Sequence, residues 1–154
     1  LRISELAGLL IRDVDFDRQM IHVRQSKFKK DRYVPVSSML CRGLKKYINT
    51  LHPKDYLFNG RVKGTPMSVQ GIRHIMHGAM KKCGITKNAC VHSLRHSYAT
   101  HLLEDGLDLV TLKNQMGHGR IENTMMYIHI ARLSPTKGFS PLETLYKENK
   151  KKQK

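Results

Sequence analysis

His92 and Arg95 stand three residues apart in the run His92-Ser93-Leu94-Arg95-His96. On a helix that spacing puts both side chains on one face. A guanidinium beside an imidazole suits a phosphate. The first neutralises charge through a planar fork of donors, and the second donates or moves a proton. The same pair is also an ordinary solvated helix face, because charged side chains mostly lie outside. Cys83, Cys90, His92 and His96 offer a second chemistry, metal ligation. Their spacing, C-x6-C-x-H-x3-H, lacks the close cysteine pair of a zinc knuckle. It is not the H-E-x-x-H of a zinc protease helix either, so no metal site is expected.

The elements that position these residues are read from periodicity. Helices are expected at 92–105, 109–116 and 121–130, separated by Gly106 and Gly117. On the first of them Leu94, Tyr98 and Leu102 recur at i, i+4 and i+8 and should anchor it in the core. Upstream, residues 3–10 read as a helix, and residues 19–24 and 32–36 as two strands. Met20, His22 and Arg24 alternate there with Ile21 and Val23, the period of a half-buried strand. Gln25 to Asp31 between the strands contain Lys27, Lys29 and Lys30, which makes a basic hairpin tip. Pro35 belongs at a sheet edge or strand end.

Leu40, Leu44, Tyr47, Ile48 and Leu51 give a helix over 38–51, ended by His52-Pro53. Tyr56-Leu57-Phe58 reads as a short buried strand among turn residues. Ser68 is the expected N-cap of a helix to Lys82, with Val69, Ile72, Met76 and Ala79 on its apolar face and Gly84 beyond its end. Ser140-Pro141-Leu142-Glu143 opens a last short helix. The fold class expected is mainly α with a small antiparallel sheet.

Twenty-eight Lys and Arg against 12 Asp and Glu give a net charge of +16, which attracts polyanions, nucleic acid first. A generally basic soluble protein is the plainer alternative. No apolar stretch approaches the roughly 18 residues of a membrane span. The three cysteines, Cys41, Cys83 and Cys90, are odd in number and widely spaced. They suggest no disulfide framework, and a reducing cytoplasm suits them. The chain opens in helical sequence without an initiator Met, as a fragment with its upstream part removed would.

Four segments in order resemble the tyrosine recombinase or phage integrase family, its Xer-like and mobile-element members above all. They are Leu1-Arg2-Ile3-Ser4-Glu5-Leu6; Lys27 in its basic hairpin, followed by Tyr33-Val34-Pro35; His92-Ser93-Leu94-Arg95-His96 with the residues to Leu103; and Met116-Gly117-His118 followed by Tyr127 nine residues on. The resemblance covers nearly the whole chain. It implies the family's catalytic-domain fold, with residues 1–138 as that domain and 139–146 as a C-terminal helix that can dock in trans; 147–154 read from their polar composition as a disordered basic tail.

The resemblance also implies roles. Tyr127 attacks the scissile phosphodiester and forms a 3′-phosphotyrosyl link. Arg2, Arg95 and His118 hold the phosphate, Lys27 protonates the leaving 5′-oxygen, and His92 helps remove the tyrosine proton. Neither metal nor nucleotide cofactor is implied. The implied partners are double-stranded DNA and a tetramer of the protein's own copies, in the bacterial cytoplasm with the nucleoid, with no membrane and no small-molecule substrate. The glycines usual beside the family's lysine are replaced by Ser26 and Phe28, and Lys29 is a rival acid. His96, His101 and His129 match family positions but read as structural or as supports behind the catalytic residues, and Glu5 as a support that orients its neighbours or as plain packing at a helix start. Related alternatives are a type IB topoisomerase and a DNA-binding module without catalysis.

Physical chemistry is consistent with those roles. A free phenol, with a pKa near 10, is a poor nucleophile at pH 7, and neighbouring cations favour phenolate. Cations fixed around a phosphate supply what Mg²⁺ supplies in other phosphoryl transfers. Ordinary readings remain beside these: Arg2 as a surface arginine, His118 as a residue following a helix-ending glycine, Tyr127 as a core aromatic. Arg61, Lys63, Gln70 and Arg73 are candidate DNA contacts on or near the helix from Ser68, a face that also suits plain solvation. Phe139, Leu142, Leu145 and Tyr146 form the apolar face of the last helix, which packs on a neighbouring copy or in cis.

Overall fold

The computed structural model describes residues 1–24 and 31–131. Lys27, Lys29 and Lys30, the helix from Ser140 and the basic tail lie outside the described residues. Among the described residues six α-helices, one 3-10 turn and three short strands follow one another: α1 (Ile3–Ala7), the 3-10 turn (Ile11–Asp13), β1 (Val14–Asp15), β2 (Met20–Val23), β3 (Arg32–Pro35), α2 (Ser38–Leu51), α3 (Val69–Lys82), α4 (Val91–Glu104), α5 (Leu109–Met116) and α6 (Glu122–Met125). The class is the expected one, mainly helical with a small antiparallel sheet.

The sheet has the order β1-β2-β3, with Ile21 opposite both Val14 and Val34. Ile21 and Val23 are buried while Met20 and His22 are less so, which is the alternation read from sequence. β1 was not foreseen. Two residues are too short to show a period, and the strand is set by the turn after it, where Asp15 Oδ1 accepts from the backbone N–H groups of Asp17 and Arg18. Pro35 ends the edge strand β3, opposite Met20. Ile21, Val23, Leu9, Val36, Cys41, Leu44 and Leu57 form the core of this half.

Side chains corrected several expectations. On α2 the inner positions are Cys41 and Leu44, while Leu40 and Leu51 are exposed. On α3 Ile72 is buried, as expected, but Ala79 is exposed. Residues 56–58 form no strand; Tyr56 makes a single bridge to Leu10, with Leu57 buried beside it. α1 stops at Ala7, and α6 at Met125 rather than 130.

The largest correction concerns α4. Leu94 is 61% and Tyr98 41% exposed, whereas Arg95, Ala99 and Leu103 face inward. The true stripe has the expected i, i+4, i+8 spacing but is rotated by one residue. Ala99, with no accessible surface, presents a small side chain where α4 packs on α5. A second core gathers there from Ala99, Leu103, Leu112, Met116, Tyr127 and Ala131. The rotation turns a charged residue into the interior, which apolar periodicity cannot signal.

Candidate active site

The site is organised by the C-terminal end of α5. Asp108 caps the other end, its Oδ1 accepting from Val110 and Thr111 N–H. Gly117 ends the helix at φ 63°, ψ 43°, a left-handed conformation. The His118 N–H then closes back on the Lys113 carbonyl at 3.1 Å. A helix end leaves its last carbonyls without intrahelical donors, and the aligned peptide dipoles favour cations there. Three arginines take three successive carbonyls: Arg32 Nε donates to Gln115 O (3.0 Å), Arg95 Nη2 to Met116 O, and Arg2 Nη2 to Gly117 O (2.7 Å). They come from β3, α4 and the residue before α1, so this helix end ties the two cores together.

Gly117 is needed twice over. A Cβ placed there would lie 2.8 Å from Arg32 Cζ. Gly117→Ala is therefore expected to cost about 1–2 kcal/mol for the left-handed backbone, with a further cost for displacing Arg32. Denaturant unfolding measures this; a loss below about 0.5 kcal/mol would rule out a glycine constrained in both ways.

Arg2 and Arg32 share Glu5. Its Oε2 accepts from the Arg2 N–H and from Arg32 Nη2, both at 2.7 Å, and its Oε1 accepts from Arg2 Nη1 at 2.8 Å and Arg32 Nη1 at 3.0 Å. Burial alone would raise the Glu5 carboxyl, but the hydrogen bonds from Arg32 and from the Arg2 backbone outweigh it and hold the pKa at about 2. Glu5 thus holds its neighbours Arg2 and Arg32, one of the two readings its place in the sequence allowed.

Arg95 is 7% exposed, and its Nη1 has no hydrogen-bond partner among the described residues. Its Nη2 lies 3.1 Å from His118 Nε2, and His118 Nδ1 lies 2.9 Å from Thr124 Oγ1. Because a guanidinium can only donate, Nε2 must accept, which places the imidazole proton on Nδ1, facing Thr124. Burial, then Arg95 and Arg2, lower the His118 pKa from 6.5 to about 4. The unfolded chain therefore binds this proton more readily, so the stability that neutral His118 contributes is present above about pH 6.5 and lost as pH falls towards 4. An ¹⁵N titration of the ring is expected to show a midpoint near 4, rising when inorganic phosphate is added. A midpoint near 6.5 in the free protein would contradict the Arg95 pairing.

Tyr127 follows α6 in a turn and is 2% exposed. The His118 ring stacks on it at 6.3 Å between centroids, and the His96 ring tilts against it at 5.4 Å. Burial raises the Tyr127 phenol pKa, opposed by the Arg95 charge. His92 is exposed and meets His96 edge-on at 4.8 Å, so His96 stands between His92 and Tyr127. His92 and Arg95 also line a cavity of about 270 Å³ together with Arg73 and Cys90.

Of the residues singled out from sequence, the structure brings Arg2, Arg95, His118 and Tyr127 together, with His92 one ring away. Arg61, Lys63, Gln70 and Arg73 are exposed. Sequence reasoning passed over Arg32 and Thr124 and set His96 aside. Thr124 and His96 were visible only as neighbours of Tyr127 and Arg95, and Arg32 only as one cation among several. Among the described residues no group of three or more His, Cys, Asp or Glu side chains is placed to hold a metal ion.

A mostly helical frame with a small three-stranded antiparallel sheet is the fold of tyrosine recombinase catalytic domains. The chain belongs to the phage integrase family, whose model matches residues 1–133. It is 36% identical over 132 residues to a tyrosine recombinase of Pseudothermotoga lettingae, covering 84% of this chain and 45% of the relative. It is also 36% identical over 143 residues to tyrosine recombinase XerC of Bacillus subtilis, covering 86% and 46%. The crystal structure of XerA recombinase superposes with a TM-score of 0.75 at 30% identity, over 96% of this chain and 53% of that one. The catalytic domain of bacteriophage HP1 integrase gives 0.62 at 30% identity, over 93% and 76%. The chain spans about half the length of the curated relatives it matches.

Proposed function

We propose that this chain is the catalytic domain of a site-specific DNA recombinase that cuts and rejoins strands through Tyr127. The observation that carries the reading is Arg95 Nη1, a buried cationic donor without a partner among the described residues, beside the neutral His118 and the Tyr127 ring. A buried unpaired donor is costly, and a phosphate oxygen satisfies it with a charge-assisted bond.

In the proposed reaction the Tyr127 oxygen attacks phosphorus and the P–O5′ bond breaks. The phenolic proton leaves towards His92, with His96 between them, and Lys27 supplies a proton to the 5′-oxygen. Arg2 and Arg95 stabilise the charge on the non-bridging oxygens, and His118 joins them once the phosphate's charge favours its protonated form and Nε2 becomes a donor. The phosphotyrosyl bond retains the energy of the phosphodiester, and attack by another 5′-hydroxyl reverses the chemistry on a new strand. Because Tyr127 is buried, attack requires the short α6 segment to move outward. Residues 1–138 form the catalytic unit in this reading, 139–146 dock on a neighbouring copy, and the protein acts as a tetramer on DNA.

Covalent capture tests the proposal. Full-length protein is incubated with fragmented genomic DNA, denatured in SDS and analysed for protein-linked DNA. The expected product is DNA joined through a 3′-phosphate to the peptide containing Tyr127. Recovery of DNA without any covalent link would leave only a binding module.

A further inference from the structure

Arg32 lies outside the set of residues given a role in strand exchange, yet it is the most completely engaged cation at the site among the described residues. Its side chain is 9% exposed. Its Nε donates to Gln115 O on α5, while Nη1 and Nη2 grip the two oxygens of Glu5. All three nitrogens are thus occupied, in contrast to Arg95, whose Nη1 has no partner among the described residues. The guanidinium also lies over Gly117, where no larger residue fits without displacing it.

We propose that Arg32 is a positioning residue that keeps the Arg2 charge available to the scissile phosphate, an inference that rests on the recombinase reading above. Glu5 is a full negative charge touching Arg2 through both backbone and side chain. Arg32 divides that charge with Arg2. Without Arg32, Glu5 would pair with Arg2 alone and offset the positive potential that a phosphate meets there. The bidentate fork and the Gln115 bond also fix where Arg2 sits relative to Arg95, since both donate to the next two carbonyls of the same chain end. Lysine cannot reproduce this, because a point charge on a flexible stem lacks the planar fork.

The test compares full-length wild type, Arg32→Ala and Arg32→Lys on a nicked duplex recovered by covalent capture with the wild type. Each is assayed in single turnover on the natural phosphodiester and on the same duplex with a neutral methylphosphonate at the scissile position. On the phosphodiester, both variants are expected to cleave about 10–100-fold more slowly, the range for losing an aligned electrostatic donor. On the methylphosphonate, which carries no charge to neutralise, the deficit relative to wild type is expected to shrink to about threefold or less. A residue that only holds the fold together would give equal deficits on both substrates. Equal deficits, or variants as fast as wild type on the phosphodiester, would overturn the role of Arg32 while leaving the recombinase reading in place. Should the wild type itself form no covalent adduct, the recombinase reading fails and this inference fails with it. Thermal melts identify a variant that is unfolded, and Arg32→Lys, which keeps the charge, carries the comparison if alanine is not tolerated.

Discussion

Tyr127→Phe is expected to abolish covalent capture of DNA while leaving the fold within about 1 kcal/mol of wild type, the usual worth of one hydrogen bond. The ring is 2% exposed and packs with Ala99, Leu103, Leu112 and Met116, so its apolar body belongs to the core and phenylalanine fills the same space. The hydroxyl is the group the chemistry needs. Its pKa is raised by burial, against the pull of Arg95, so the free protein holds a neutral phenol that must lose its proton during attack. Without the oxygen there is no nucleophile, and the adduct should fall by at least about 10⁴-fold. Denaturing gels of protein bound to end-labelled DNA measure it. A residual adduct of a few per cent would point to another nucleophile, with the exposed Tyr33 and Tyr98 as the first to examine.

Arg95→Met is expected to separate activity from stability. Arg95 is disfavoured as a buried cation: desolvation, and then the Arg2 charge, lower its pKa. Removing it leaves the Met116 carbonyl short of a donor, at a cost of about 1–3 kcal/mol. Removing the buried charge and filling the space with an apolar chain offsets a similar amount. The net change in stability should therefore lie within about 1 kcal/mol, or a few degrees in Tm. Single-turnover cleavage should fall about 10²–10³-fold, because the unpartnered donor meant for the phosphate is gone. Urea denaturation and a cleavage time course read the two effects separately. If stability collapsed along with cleavage, Arg95 would be a structural strut and its orphaned nitrogen would carry no functional meaning.

Much of the frame was legible because it depends on local rules. α5 runs over 109–116, where the sequence places it, because Asp108 can cap and Gly117 can take a left-handed turn. α3 starts after Ser68 for the same kind of reason, with Ser68 Oγ accepting from Gly71 N–H. Local rules did not decide which stripe of α4 faces inward. Leu94, Tyr98 and Leu102 are the more apolar set, yet Arg95, Ala99 and Leu103 are the buried one. Close packing against α5 selects a small residue at position 99, and the site requires an arginine at 95; both are conditions between elements. β1 and the shortening of α6 are likewise set by what these segments pair with, not by their own few residues.

Taken alone, the amino-acid sequence settled the basic character of the chain, the residue types available for phosphate chemistry and, through four ordered segments, the family. It named Arg2, Arg95, His118 and Tyr127 without being able to show that they meet. Only the tertiary structure decided that meeting, because the arginines are anchored on backbone carbonyls at the end of α5, identical in kind at every residue and therefore silent in the sequence, and Tyr127 reaches them only through ring packing with His118. The same silence hid Arg32, whose importance lies in the atoms it touches and not in its type.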